Sequence, residues 1–299
     1  MTASDHVRWL SNPRLQSPTV IAAFNGWNDA ADAASTAVRT LIQAWNAEPL
    51  AEIDPEEFTD FATIRPSVKI ENGETRSIVW PKVTLWHAST PGADVILVLG
   101  PEPSLKWRLF VEQIIGVAAR YDASMVLTLG ALIADVSHRG DVQVIGTSND
   151  QTTLDRFDLQ RSRYEGPTGI ISVLHDAATQ ASMPNASLWA IVPAIASQIP
   201  SPKAANALIA RAGEIIGTPA PLGVLHNQIV AYDNKVEEMI DEDDDLREYV
   251  DRIEEMGDDD DAEFVDPNQL ELFADSEDLE DEIEHLADEV EQFLRDQDK

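Results

Sequence analysis

The chain has 299 residues, 43% of them hydrophobic, and a formal net charge of -33; that is enough apolar material for one large domain or two, and a charge that argues against a phosphate-binding face for DNA or RNA and against attraction to anionic lipid. There is no cysteine, so disulfides, thiolate metal sites and thiol nucleophiles are excluded, in keeping with a reducing compartment. Asp5, His6 and Arg8 interrupt the start where a secretory signal needs an apolar run, and no apolar stretch approaches the roughly 18 residues of a membrane span. The expectation is a cytoplasmic protein, neither inserted in a membrane nor bound to nucleic acid. The acidity is concentrated: residues 222–299 hold 31 Asp and Glu against 5 Lys and Arg, while residues 1–221 hold 23 against 16. This divides the chain into a main domain, 1–221, and an acidic subdomain, 222–299.

Thr19 to Phe24 is a short apolar run followed by Asn25-Gly26-Trp27-Asn28-Asp29 and then by Ala34, Ala37, Val38, Leu41 and Trp45 at helical spacing, which predicts strand, sharp turn and helix. From Leu50 to His87 the pattern becomes short β segments. Asn72-Gly73 marks a hairpin between Ser67 and Trp80; a two-residue loop would set Glu71 opposite Glu74 and Lys69 opposite Arg76, both unfavourable. Asp94 to Leu99 reads as a buried strand, and after Gly100-Pro101-Glu102-Pro103 a helix capped by Ser104 carries Trp107, Phe110, Val111, Ile114, Ile115 and Ala118 on one stripe.

Ser124 to Leu129 predicts a second buried strand ending at Gly130, and Asp141 to Gly146 an alternating one. Gly166-Pro167-Thr168-Gly169 opens a helix with Ile170, Val173, Leu174, Ala177 and Ala181 inward; Leu188 to Val192 is apolar; Ser201-Pro202 starts a helix that Gly217 stops. Alternating strands and helices call for a parallel core sheet. In the acidic part, Leu222, Leu225, Ile229, Tyr232, Val236, Met239, Leu246, Val250 and Ile253 keep a seven-residue register that Asp243 breaks, and Leu279, Ile283, Leu286, Val290 and Phe293 repeat it. A helix pair packed on its own domain, rather than an intermolecular coiled coil, accounts for so short and interrupted a pattern.

No phosphate-binding lysine loop, G-x-G-x-x-G turn, G-x-S-x-G elbow or H-E-x-x-H helix is present. The six histidines show no ligand spacing, and the runs Asp241–Asp245 and Asp258–Asp261 lack the glycine and terminal glutamate of a calcium loop. No metal or cofactor is expected. The candidate ligand-binding residues are Asn25, Gly26, Asn28 and Asp29, which sit where a strand meets a helix, and Thr168 and Gly169, which present helix-start amides to an anion. Helix capping by Asn28 or Asp29, with Trp27 packed beneath, is the favoured account of the first set, and turn and cap duty explains the second. Asp135 and His138 are a candidate acid/base pair, or simply a solvated loop pair.

Phe24 to Ala30, Gly130 to His138, Tyr164 to Ile170 and Ser187 to Pro193, in this order and spacing, resemble the PAC2 family, which includes proteasome assembly chaperones; the ending Glu291 to Arg295 is similar to its actinobacterial branch. The resemblance implies a three-layer α/β/α sandwich of phosphorylase/hydrolase-like type with an acidic helical C-terminal appendage, and a homo-oligomer, a trimer as first guess. It also implies an assembly or chaperone-like role with a protein partner rather than catalysis. Gly often follows the Asp-Ala of the family's first motif and His the Pro of its fourth, where Ala31 and Ala194 stand here. Chaperone members tend to end in a hydrophobic-Tyr-X tail, and this chain ends Gln297-Asp298-Lys299, so proteasome docking through such a tail is not expected. The alternatives are a nucleoside- or phosphate-binding enzyme on the same fold and an ATP-dependent carboxylate-amine ligase, after the ATP-grasp-like label sometimes given to this branch; no phosphate-binding pattern supports the latter.

Overall fold

The computed structural model describes residues 6–71 and 75–256, so the second heptad segment, from Leu279 to Phe293, lies outside the described residues. All elements below belong to one compact unit, from which residues 163–166 are excluded. In chain order they are β1 (Val7–Trp9), β2 (Thr19–Asn25), α1 (Ala33–Ala44), β3 (Glu48–Ile53), β4 (Ser67–Glu71), β5 (Thr75–Val79), β6 (Val83–Ser89), β7 (Asp94–Pro101) and α2 (Trp107–Arg120). There follow β8 (Met125–Ala134), β9 (Val144–Thr147), α3 (Gln151–Phe157), α4 (Ile170–Gln180), β10 (Asn185–Pro193), α5 (Pro202–Ile216), α6 (His226–Glu242) and α7 (Asp244–Met256).

Eight strands form one sheet in the order β1-β3-β6-β7-β2-β8-β10-β9. The central four, β7, β2, β8 and β10, run parallel, as the strand-helix alternation requires, and antiparallel strands extend both sides. The central strands are apolar throughout because both faces are covered. Along β2, Ile21 and Ala23 point to one core, with α1 and α5, while Val20, Ala22 and Phe24 point to the other, with α2 and α4. That is the three-layer α/β/α sandwich. Alanines on facing sides of α1 (Ala33, Ala34, Ala37) and α5 (Ala204, Ala205, Ala212) are all buried in the first core, so small side chains let the two helices lie close together.

Several local expectations are corrected by longer-range contacts. The strand at Met125 does not end at Gly130 but continues to Ala134, because Trp189 of β10 lies over Gly130, close enough that an added Cβ would meet its ring at 2.6 Å. The α2 helix starts at Trp107 with no side-chain cap; Ser104 instead donates its backbone N–H to the Phe58 carbonyl at 2.8 Å. In the hairpin, Glu71 pairs with Thr75 and Lys69 with Ser77, one residue away from the register of a two-residue loop, which removes both like-charge pairs. By contrast α5 begins as expected, with Ser201 Oγ accepting from the Ala204 N–H at 3.2 Å and Gly217 closing it at φ +70°.

The heptad of the acidic part is realised with a shift. Tyr232, Val236, Ile240 and Val250 are buried against Ala196, so Ile240 replaces Met239 on the stripe, and Leu222 is exposed. Asp243, the residue that breaks the register, is extended and separates α6 from α7. Among the described residues no helix is long and apolar enough to cross a membrane.

Candidate functional site

Strands β2, β7 and β8 all end at one edge of the sheet, and α4, which leads into the parallel strand β10, starts at that same edge. The Asn25–Asp29 turn and the Thr168-Gly169 helix start are therefore brought together. Asn28, 2% exposed, lies so close to Gly169 that a Cβ there would collide with its amide. Gly169 is buried, and Thr168 stands exposed beside it.

A residue that sequence reading did not select occupies the centre of this arrangement. Glu102, just past β7, donates its N–H to the Asn25 carbonyl at 2.8 Å. Its Oε1 accepts from the Ile170 N–H at 2.8 Å and from Asn28 Nδ2 at 3.0 Å. A carboxylate thus sits at the amino end of α4, where the helix dipole and a free amide favour negative charge. Gly26, at φ +139°, leaves room for the Glu102 side chain, which an added Cβ would meet at 3.1 Å. The geometry of an anion site is present, and the protein fills it itself. The available signal was position: an acidic residue directly after a strand that ends at this edge.

Asp29 performs the capping duty, but from inside a bulged turn. Its Oδ1 accepts from the Ala34 and Ser35 N–H groups at 2.7 and 3.0 Å, and Oδ2 from Asn25 Nδ2 at 3.3 Å. Burial raises its pKa and the bonds from Ser35 and Ala34 oppose this. The Asn28 carbonyl accepts from the Ala131 N–H at 2.9 Å, tying the turn to β8. Ala31 and Asp32 follow in the left-handed region, φ 50° and 51°, and the Ala31 carbonyl accepts from Ser201 N–H at 2.8 Å. The position where the family often carries Gly is thus one whose backbone favours it. Trp27 does not pack beneath the helix; it is 56% exposed, and Leu105 and Ile133 are exposed at the same edge.

Asp135 and His138 do not form a pair but turn to different partners. Asp135 accepts from the Tyr249 hydroxyl of α7, whose pKa is raised by burial and then by that carboxylate. His138, buried, places Nε2 3.1 Å from Glu237 Oε1 of α6. Arg139 completes a clamp, reaching Glu237 at 3.0 Å and Glu254 at 2.7 Å. Hydrogen bonds from Arg139 and then His138 hold the Glu237 carboxyl down to about 2. The loop after β8 is therefore the fastening point of α6 and α7.

A further polar chain went unnoticed in the sequence because its members are far apart. Ser187 Oγ lies 2.7 Å from Thr128 Oγ1 and 3.2 Å from His175 Nδ1, and His175 Nε2 lies 3.3 Å from Asn149 Nδ2. A serine beside a histidine suggests a nucleophile and its base. Yet Ser187 and Thr128 are buried, and burial lowers the His175 pKa, as fits a satisfied polar contact between α4 and the sheet. Among the described residues no group of three or more His, Asp or Glu is placed to hold a metal ion.

The profile of the PAC2 family matches residues 23–240, and the chain belongs to that family. It is 40% identical to a PAC2 family protein from Streptomyces avermitilis, with 78% of this chain and 99% of that one covered and a TM-score of 0.72. It is also 40% identical to a proteasome-assembly chaperone homologue from Mycobacterium tuberculosis, with 78% and 99% covered and a TM-score of 0.70. An archaeal proteasome activator from Pyrococcus furiosus, 15% identical over 78% of this chain and 97% of that one, shares the fold at a TM-score of 0.64. A comparison with curated proteins finds none that matches.

Proposed function

We propose that the chain is a PAC2-type assembly or chaperone-like protein, acting in the cytoplasm as a homo-oligomer through contacts with other proteins rather than by catalysis. Family membership and the 40% identical relative described as a proteasome-assembly chaperone homologue support this reading. The observation that carries it is at the carboxyl edge of the sheet. There the anion slot between Asn28 and Gly169 holds the chain's own Glu102 carboxylate, while Trp27, Leu105 and Ile133 stand exposed at the same edge. A filled slot at an edge that also exposes apolar side chains suits a protein surface better than a small substrate. Asn25, Gly26, Asn28, Asp29, Thr168 and Gly169 are on this reading the frame of a contact surface, and α6 and α7 of the acidic part are fastened through Arg139 to the loop after β8.

The nucleoside- or phosphate-binding alternative gains nothing from this geometry, since Glu102 puts negative charge where an anion would have to sit, and the ligase alternative likewise. The test is co-expression with the α and β subunits of a proteasome from the same organism. The expected outcome is co-elution of the chain with unassembled α-subunit species and a higher yield of complete particle. A chain that elutes alone and leaves the yield unchanged overturns the reading.

A further inference from the structure

Residues 215–232 contain no Asp, Glu, Lys or Arg, although 25% of the whole chain is charged. They run from the end of α5 through the short 3-10 turn Leu222–Leu225 directly into α6. One side of this stretch faces inward, where Leu225 and Tyr232 are buried. The other side is open: Leu222, Val224 and Val230 are 43%, 51% and 48% exposed, and Gly223, Asn227 and Ala231 are exposed with them. At helical spacing the residues from Gly223 to Ala231 that point outward fall within an arc of about 120° centred on Asn227.

A second segment extends this surface. Thr218 Oγ1 donates to Thr90 Oγ1 at 2.8 Å, and Gly92 lies so close to Gly217 that an added Cβ would meet its carbonyl oxygen at 1.9 Å. The turn that holds them exposes Ser89, Pro91 and Gly92, none of them charged. Because β7 begins at Asp94, the surface starts at the amino edge of the parallel strands, the end away from Glu102. Exposed apolar side chains on a patch depleted of charge have the composition of an interface core. The missing charge also selects the occupant. A foreign partner of a chain of net -33 would be drawn to it by basic groups, and this patch offers no carboxylate to receive them. Two copies of the chain repel wherever their acidic surfaces meet, and here they can touch without bringing like charges together.

We infer that the face centred on Asn227 packs against the same face of a second copy across a two-fold axis, with the two α6 starts antiparallel. With Asn227 on the axis, Val224 of each copy meets Val230 of the other, and Gly223 meets Ala231. Asp233, Lys235 and the acidic residues beyond them then lie alongside the neutral residues 215–221 or outside the contact, never against one another. The Asn227 amide both donates and accepts, so it can pair with its own image. At Gly223 an added Cβ would meet nothing of its own chain within 4 Å, so the space over it is free for the partner. A contact of this kind closes at two copies and leaves the Glu102 edge of each uncovered. The inference rests on the homo-oligomer proposed above, for which it names the face; the chaperone reading stands or falls separately, with co-elution.

Sedimentation equilibrium of the full chain tests this. The face is smaller than the usual interface of about 20 to 30 residues a side, so a monomer–dimer equilibrium at roughly tens of micromolar is expected, within reach of samples up to about 300 µM. Association should tighten as salt rises from about 50 to about 500 mM, because salt screens the repulsion between two acidic chains and there is no ion pair to lose. Val224→Glu and Val230→Lys, each setting an unpaired charge in the contact, should weaken association at least about tenfold. The double variant should regain it, since each new glutamate then faces a lysine of the other copy, while six residues of separation keep the two from pairing within one helix. Asn227→Glu exchanges one exposed polar side chain for another and sets two carboxylates on the axis; it should abolish the dimer, and it serves if a valine variant melts differently from the parent. A parent that stays monomeric overturns this inference and the homo-oligomer with it. An oligomeric parent whose mass no variant changes, a double variant no tighter than the single ones, or association that weakens with salt overturns this face alone.

Discussion

The sheet edge around Glu102 and the fastening of α6 and α7 are both held by carboxylates, but under different conditions. Glu102 accepts from a backbone amide and the buried Asn28 side chain, and its two strongest dependents have no access to water as a substitute. Glu237 and Glu254 bind the half-exposed Arg139, where solvent screening reduces what each pair contributes. Carboxylates that satisfy buried donors determine whether the domain folds; those that pair on the surface determine whether an appendage stays down. Salt and acid should therefore act on α6 and α7 before they act on the sandwich.

The largest effect is expected from Glu102→Ala. It strands the Ile170 N–H and the Asn28 amide, and should cost about 3 kcal/mol, the order expected when donors to a charged acceptor lose it in a buried setting; urea denaturation measures this. Glu102→Gln, which keeps an acceptor, should cost about half as much. If both are neutral, the two regions do not differ as claimed. Next, Arg139→Ala should lower stability by about 1 kcal/mol or less, given its exposure. Hydrogen exchange should show the difference in α6 and α7, with the amides of β2 and β8 unchanged; a uniform loss of protection would erase the contrast.

The pH dependence separates the regions in a third way. Glu237 has a folded pKa of about 2, lowered from its ordinary value of 4.5. Its contribution is therefore complete above pH 4.5 and disappears as the pH falls from there toward 2. Exchange protection of α6 should fall across that window, and Glu237→Gln should remove the dependence. Asp29 has the opposite sign: its raised pKa contributes stability that is present below 3.8 and is lost as the pH rises through the folded value. The smallest effect is at Ala31. Its left-handed backbone is strained for any residue but glycine, and Ala31→Gly should stabilise by about 0.5 kcal/mol, the relief of strain less the entropy of a freer unfolded chain.

What the sequence made legible followed from local rules. The apolar runs of β2, β7 and β10, the Ser201-Pro202 start of α5 and its Gly217 stop all depend on residues within a few positions of one another. The two candidate loops were legible as strand ends in an α/β sheet, and the structure brings them together. The occupant of the slot was not, because Glu102 acquires its role from partners 74 and 68 residues away. Trp189 over Gly130, the Phe58 carbonyl holding the start of α2, and Arg139 reaching α6 are of the same kind. In the hairpin, the charge pattern already argued against the two-residue loop; only the loop length was missing.

Asp243 has one further consequence. As an unbroken helix, residues 226–256 would make a rod of about 46 Å, at 1.5 Å per residue, and its far half would project into solvent with Val250 and Ile253 uncovered. Asp243 instead leaves the helical path and uses its Oδ1 to accept from the Asp245 and Leu246 N–H groups at 2.9 and 3.2 Å, starting a new helix at once. Val250 then joins the cluster of Val236 and Ile240. A single interruption in the repeat converts reach into cover: the same residues that would have extended the molecule shield a patch of its own surface.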